Sequence, residues 1–211
     1  NYFLGDQLLG PAGTNGDIVI VAIDDESIGK IGQWPWPRVE YAKLLIALSD
    51  SPPAILGIDV LLSEPSRVGA GDDRSLAEAL DRSIFPIGLA SRTTEGVMPL
   101  AQFTRPDNVA EGEALIVVDT DGLVRRANFE NSFASAIHSQ FESKTPRESG
   151  LIVWAGKPGT IRRVPFSKVI VDPATARTLM GKIVLVGSTA TDLHDEQITA
   201  IAPGRAMPGV E

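Results

Sequence analysis

Three groups of residues have the types and spacing to do chemistry. The first is acidic. Asp24 and Asp25 close an apolar run over 18–23, Asp59 interrupts a second run over 54–62, and Asp192, Asp195 and Glu196 follow a third over 183–186. If the three runs are parallel strands of one sheet, these carboxylates converge at its carboxyl edge, where oxygen ligands could hold a hard cation. The same groups could equally anchor Arg38, or the pairs Arg125–Arg126 and Arg162–Arg163, through bidentate hydrogen bonds. Both readings stay open, so no metal is assigned.

The second group is nucleophilic in outline: Gly187-Ser188-Thr189 follows a strand, and His194 adjoins Asp195. It lacks the glycine-flanked serine elbow of a hydrolase. His194 is the only plausible general base of the chain's two histidines, because His138 falls on a predicted helix. The third group concerns anions. The backbone over 187–190 could offer N–H groups if a helix starts there, and the two arginine pairs are possible anion contacts. No phosphate-loop lysine motif is present, and no dinucleotide fingerprint follows the first strand, where Asp24-Asp25-Glu26 has the wrong charge for phosphate.

Beside the first strand lies Trp34-Pro35-Trp36-Pro37-Arg38, two large rings on a proline-stiffened backbone. The rings either wall a pocket for an apolar or cationic ligand or pack into the core. Arg38 sits in the first turn of a predicted helix, where a cation is unfavourable, so an acidic partner is expected among Asp24, Asp25 and Asp59.

These residues need a scaffold, and the hydrophobic pattern supplies one. The run over 18–24 predicts a buried strand. Tyr41, Leu44, Leu45 and Leu48 predict a helix from 37 to 50, and the run 54–62 predicts a second strand. Strand, helix, strand is a crossover unit of a parallel sheet. Asp72 or Asp73 could cap a helix carrying Leu76, Ala79 and Leu80. A third strand over 84–89 contains Pro86, which favours an edge position or a bulge. Residues 91–114 yield no element beyond a short strand near Met98. Strands over 114–118 and 123–129 flank the turn Asp119-Thr120-Asp121-Gly122 as a hairpin. A helix over 132–141 follows, then strands over 151–155, 160–165 and 183–186. Residues 191–211 read as an ordered excursion. VRRANF and IRRVPF echo each other and could place two arginine pairs on analogous strands, shielding edges or neutralising carboxylates. The fold class expected is α/β: a mixed, mostly parallel central sheet flanked by helices, with an inserted or appended antiparallel hairpin.

The 211 residues allow one sizeable core, and 43% hydrophobic with 22% charged residues is an ordinary globular composition. A formal charge of -8 argues against nucleic acid, which needs a positive footprint. The absence of cysteine excludes disulfides, thiolate metal sites and cysteine nucleophiles. No stretch has the roughly 18 consecutive apolar residues of a spanning helix. The chain opens on Asn1 without methionine and stops after a turn, so it is expected to be an excised piece.

Six segments in order, VIVAIDDESI, WPWPR, ILGIDVLLSEP, VVDTDGLVRR, GKIVLVGSTATDLHDEQIT and MPGVE, resemble the CHASE-type-2 family of extracellular sensory domains. The resemblance runs from about residue 17 to residue 211. It puts Asp24, Asp25, Trp34, Trp36, Arg38, Asp59, Glu64, Arg125, Arg126, Gly187, Asp195 and Glu211 in the family's characteristic pattern. It implies an extracytoplasmic or periplasmic input domain of a membrane-anchored bacterial receptor, regulating a cytoplasmic histidine kinase, serine/threonine kinase or cyclase module of the same chain.

The expectation is therefore an amino-terminal linker or partial element over 1–16 and a single sensory domain over 17–211. It is non-catalytic, needs no cofactor, forms a homodimer and binds a small molecule or ion. The candidate polar cluster comprises Asp24, Asp25, Trp34, Trp36, Arg38, Asp59, Glu64, Thr189, His194 and Asp195. Alternatives are a metal-dependent hydrolase or phosphoryl-transfer enzyme, and a protein-interaction domain of the cell envelope.

Overall fold

A computed structural model describes residue 13 and residues 15–140, 149–193, 195–202 and 204–211. His194, Phe141 at the end of the predicted helix, most of the expected linker and the side chain of Asp192 lie outside the described residues. In chain order the elements are β1 (Ile18–Ile23), α1 (Asp25–Ile31), α2 (Arg38–Ser49), β2 (Ile55–Ile58), α3 (Ala70–Asp81), β3 (Ile87–Ser91) and β4 (Val109–Glu113). There follow β5 (Val117–Val118), β6 (Val124–Asn128), α4 (Phe133–Ser139), β7 (Ser149–Leu151) and β8 (Arg162–Pro165). The described chain closes with α5 (Phe166–Val171), α6 (Pro173–Arg177), β9 (Ile183–Ser188), β10 (Glu196–Ile198) and β11 (Ala206–Pro208).

Six strands form a parallel sheet in the order β4-β3-β2-β9-β1-β8. The apolar runs of β1, β2 and β9 follow from that arrangement, since a central parallel strand is covered on both faces. β9 is threaded between β1 and β2, with Ile23 level with Ser188 and Ile58 level with Val186. Two small antiparallel sheets are appended: β5-β6-β7, and the pair β10-β11.

The two faces of the large sheet are built differently. One carries Val19, Val21, Ile23, Leu56, Ile58, Ile87, Leu89, Val184 and Val186, packed against Tyr41, Leu44, Leu45 and Leu48 of α2, Leu76 and Leu80 of α3, and Phe166 and Val169 of α5. Spacings of three and four put the α2 residues on one side of that helix. The other face has a floor of glycines. Gly57 of β2 pairs level with Gly88 of β3, and Gly112 of β4 lies one strand further out. A Cβ on Gly57 would come within 2.6 Å of Ile137 in α4, and one on Gly88 within 3.0 Å of the same side chain. On Gly112 it would come within 2.5 Å of the Ser132 carbonyl oxygen and 2.7 Å of the Phe133 backbone. The glycines let a short helix lie almost on the backbone of the sheet.

Several elements differ from the sequence-based expectation. Between Asp25 and Trp34, where the sequence pattern gave no element, lies the helix α1, a two-turn element whose single glycine hides its periodicity and whose Ser27 is buried. The unassigned stretch over 91–114 contains β4, whose sequence VAEGE is too polar to read as a buried strand and which pairs only as an outer strand on β3. Near Met98 there is only an isolated bridge between Arg92 and Val97. Pro86 marks neither an edge nor a bulge: it precedes the interior strand β3, where its carbonyl accepts from the Leu56 N–H at 3.0 Å. The arginine echo is not structural, because β6 belongs to an antiparallel sheet and β8 to the parallel one. The excursion over 191–211 contains the β10-β11 pair.

Gly112→Ala should destabilise the fold by about 1–3 kcal/mol, the usual cost of overpacking, because its new methyl meets backbone. Gly57→Ala should cost less, because its clash is with the ends of side chains that can rotate. Urea denaturation of both variants checks the order, and a Gly112→Ala midpoint equal to wild type would contradict it.

Candidate functional site

The carboxyl ends of β1, β2, β3, β4 and β9 open into a cleft of about 880 Å³. Its walls include Ile23, Trp34, Arg38, Asp59, Arg92, Glu95, Glu113, Phe129, Phe133, Ser188, Asp195 and Gln197. A pocket beyond the carboxyl ends of a parallel sheet, beside a strand inserted between its sequence neighbours, is where this architecture binds ligands.

Asp24 and Asp25 do not line it. The Asp24 carboxylate caps α1, accepting from the Ser27 N–H at 2.8 Å, and Asp25 is exposed in the first turn of that helix. The two tryptophans divide. Trp36 is buried, donates its ring N–H to the Gly32 carbonyl at 2.9 Å and packs on Phe166 with ring centres 4.9 Å apart. Trp34 is half-buried, lies edge-on to Trp36 at 5.2 Å and walls the cleft. Trp36 is core, and Trp34 is the ring available to a ligand.

Arg38 takes none of its expected partners. Its Nε is 3.5 Å from Asp73 Oδ1, and its Nη2 donates to the Glu64 carbonyl at 2.8 Å. Asp72 accepts from the backbone N–H groups of Arg38 at 2.7 Å and Val39 at 2.8 Å, so it caps α2 from the first turn of α3. Pro37, at the cap position itself, has no side-chain acceptor to offer. Burial works to raise the Asp72 pKa, but the Ser66 hydroxyl, these two N–H groups and the Arg38 charge together hold it below the usual aspartate value. Asp73 accepts from the Ser66 N–H at 3.0 Å. Local sequence made Asp72 and Asp73 caps of their own helix, but only the packing of α3 on α2 brings them to the neighbouring one. Glu64 therefore contributes its carbonyl to this cluster, while its side chain is exposed.

Asp59 is held one residue beyond Ile58, its N–H bonded to the Val186 carbonyl at 2.8 Å. Burial pushes its carboxyl up to about 6, the neighbouring Asp195 charge pushes the same way, and Arg92 opposes them. Asp195 is also raised, by burial, against Arg92. The Asp195 backbone carbonyl accepts from the Gly209 N–H at 2.9 Å, and a Cβ on Gly209 would lie 2.6 Å from Asp195 Oδ1. Glycine at 209 therefore leaves room for that carboxylate. The other charges at the cleft are occupied. Arg92 lies 3.6 Å from Glu95, and Glu113 accepts from the Thr93 hydroxyl at 3.0 Å and from the Thr94 N–H at 3.2 Å.

The remaining predicted residues lie elsewhere. Thr189 gives its N–H to the Ile23 carbonyl at 3.0 Å and is followed by a single 3-10 turn, so no α-helix starts over 187–190 to offer an anion its free N–H groups. Arg125 is buried, with Asp121 at 2.8 Å and Asp119 at 3.1 Å, and Arg126 is exposed. Arg162 donates to the Thr178 hydroxyl at 3.1 Å. Arg163 pairs with Glu211, whose carboxylate also accepts from the Gly159 N–H at 2.9 Å and the Ile161 N–H at 3.2 Å. Both arginine pairs are thus largely committed to carboxylates or hydroxyls of the chain itself. Sequence reasoning missed Arg92, Glu95 and Glu113 at the cleft. Arg92 follows β3 as Asp59 follows β2, and that position was the available signal. Among the described residues, no group of three or more His, Asp or Glu side chains could hold a metal ion.

The family model for the CHASE2 domain matches residues 2–211. No curated protein and no solved structure matches the chain.

Two outcomes follow from these positions. Trp36→Ala should cost about 3–5 kcal/mol, as buried aromatic truncations do, and Trp34→Ala clearly less; equal losses in urea unfolding would contradict the division. Asp59→Asn should raise the melting temperature at pH 7.5 and change it little near pH 4. A carboxyl whose pKa is raised in the fold binds an extra proton there, so stability falls as pH rises between the ordinary aspartate value and about 6. A variant curve parallel to wild type across that range would contradict this assignment.

Proposed function

The chain belongs to the CHASE2 domain family, whose members are non-catalytic extracytoplasmic sensory modules, and on that footing we propose that the cleft at the carboxyl edge receives the signal as a small ligand. The observation that carries this reading is the pair Asp59 and Asp195. Each has a raised pKa, and neither carboxylate has a hydrogen-bond or ion-pair partner among the described residues, although both line a cleft large enough for a metabolite-sized molecule.

The segment 195–211 supports a route for transmission. Asp195, Gln197 and Gly209 wall the cleft, and the same segment ends on the Glu211 carboxylate bound to Arg163 and the turn before β8. A ligand that holds Asp195 and Gln197 in one arrangement favours that arrangement of the whole segment. This differential contact is what any coupling requires.

CHASE2 domains are associated with kinase and cyclase modules. In our reading this domain is the periplasmic part of a membrane-anchored bacterial receptor that regulates such a module. The receptor works as a homodimer. Exposed apolar side chains on and beside the small antiparallel sheet, Val117, Leu151 and Val153, support that sheet as the dimer contact.

A thermal-shift screen of small molecules tests the cleft, with Leu115→Trp as the control variant because exposed Leu115 lines it. A compound that raises the melting temperature of wild type should leave Leu115→Trp unmoved. Equal shifts in both proteins would move the sensing site elsewhere.

A further inference from the structure

We infer that the cleft binds a small organic cation, with an ammonium or guanidinium head between Asp59 and Asp195 and an apolar or aromatic body against Trp34 and Phe129. This rests on the proposal that the cleft is the sensing site, and it assigns the chemical class of the ligand.

The charge pattern of the walls decides the class. Among the described residues, six charged side chains line the cleft: Arg38, Asp59, Arg92, Glu95, Glu113 and Asp195. Arg38 is ion-paired with Asp73 and donates Nη2 to the Glu64 carbonyl, Arg92 faces Glu95 while also opposing the Asp59 and Asp195 charges, and Glu113 is held by Thr93 and Thr94. Asp59 and Asp195 are left over, half-buried and close enough for one to disfavour ionisation of the other. An anion would add a third like charge. A neutral ligand would bury two carboxylates that share the partial compensation of Arg92, itself paired with Glu95, which is costly. A cation between them offsets both.

Two further observations point to a molecule. Ser188 Oγ is buried at the same cleft and has no hydrogen-bond partner among the described residues, so it is a polar group that a ligand could satisfy. Trp34 lines the wall, and the face of an indole ring attracts a cation electrostatically. A bare divalent ion fits less well. Calcium takes about six to eight oxygen ligands, whereas the described residues hold no cluster of three acidic or imidazole side chains, and the cleft is walled largely by apolar groups. Binding of an organic cation competes with protonation of Asp59, so affinity should fall as pH drops below about 6.

Calorimetry on this chain at pH 7.5 tests the assignment, using 2-phenylethylammonium, agmatine and choline as probes, with 2-phenylethanol as a neutral analogue and calcium as a metal control. At least one cation should bind, its neutral analogue at least about tenfold more weakly, a difference of about 1.4 kcal/mol. Asp59→Asn and Asp195→Asn should each weaken that cation by a similar factor while unfolding at or above the wild-type temperature. The assignment is overturned if no cation binds, if 2-phenylethanol binds as well as the amine, if calcium alone binds, or if neither asparagine variant loses affinity. Should neutral or anionic molecules from the thermal-shift screen bind and Leu115→Trp abolish that binding, the cleft stays the sensing site and only the ligand class fails. If molecules of every charge class leave the protein unshifted, both readings fail together.

Discussion

Between β1 and β2 runs β9, hydrogen-bonded to each, and among the described residues no other strand joins those two into one sheet. The chain must therefore return from residue 183 to the middle of an element begun at residue 18 before the backbone groups of β1 and β2 are satisfied. Buried peptide groups left without partners are expensive, so the sheet stands or falls with that insertion. The apolar faces of β9 complete the core on one side through Val184 and Val186. On the other side Gly187 admits Val210, which approaches so closely that a Cβ there would lie 2.5 Å from it. The register also makes the cleft, because it sets Ser188 level with Ile23 and brings Asp59 alongside Gly187.

The acidic residues of this chain fall into two classes that composition alone does not separate. Asp24, Asp72, Asp73 and Glu211 are consumed by backbone N–H groups or by arginines, and each ties together segments that would otherwise have loose ends. Asp72 is the clearest case, since it caps a helix 34 positions earlier in the chain whose own cap residue is proline. Asp59 and Asp195 are the other class. Among the described residues they receive no such partner, and burial raises both pKa values. A fold that pairs the buried Asp72 and Asp73, yet leaves two half-buried carboxylates along one cleft, concentrates unused electrostatic free energy at one place.

Membership in the CHASE2 domain family and the geometry of the cleft bear on different questions. The family relation speaks to the role of the module in a signalling chain, and the site speaks to the chemistry it can recognise. The segment 195–211 connects them: it supplies Asp195 and Gln197 to the cleft, and through Glu211 it is fastened to the edge strand β8.

Much of the architecture was legible in the sequence. The apolar runs over 18–24, 54–62 and 183–186, with α2 between the first two, specify parallel strands and a crossover helix, because hydrophobic periodicity is a local property of the chain. The turn at Asp119–Gly122 likewise foretold the antiparallel pair β5 and β6. Local pattern also singled out Asp59 as the carboxylate interrupting the second strand and drew attention to Trp34. It could not say that Trp36 faces Phe166 while Trp34 faces the cleft, that Arg38 would meet Asp73 in place of Asp24, or that Arg92, Glu95 and Glu113 would join the site. The strand β4 was invisible because a polar outer strand owes its conformation to the free edge of β3 more than to its own residues. Sequence determined the elements, since burial pattern and turn chemistry act over a few residues; tertiary structure decided which charges are paired, since partners such as Asp72 and Arg38, or Glu211 and Arg163, lie 34 to 48 residues apart and meet only when the elements that carry them pack together.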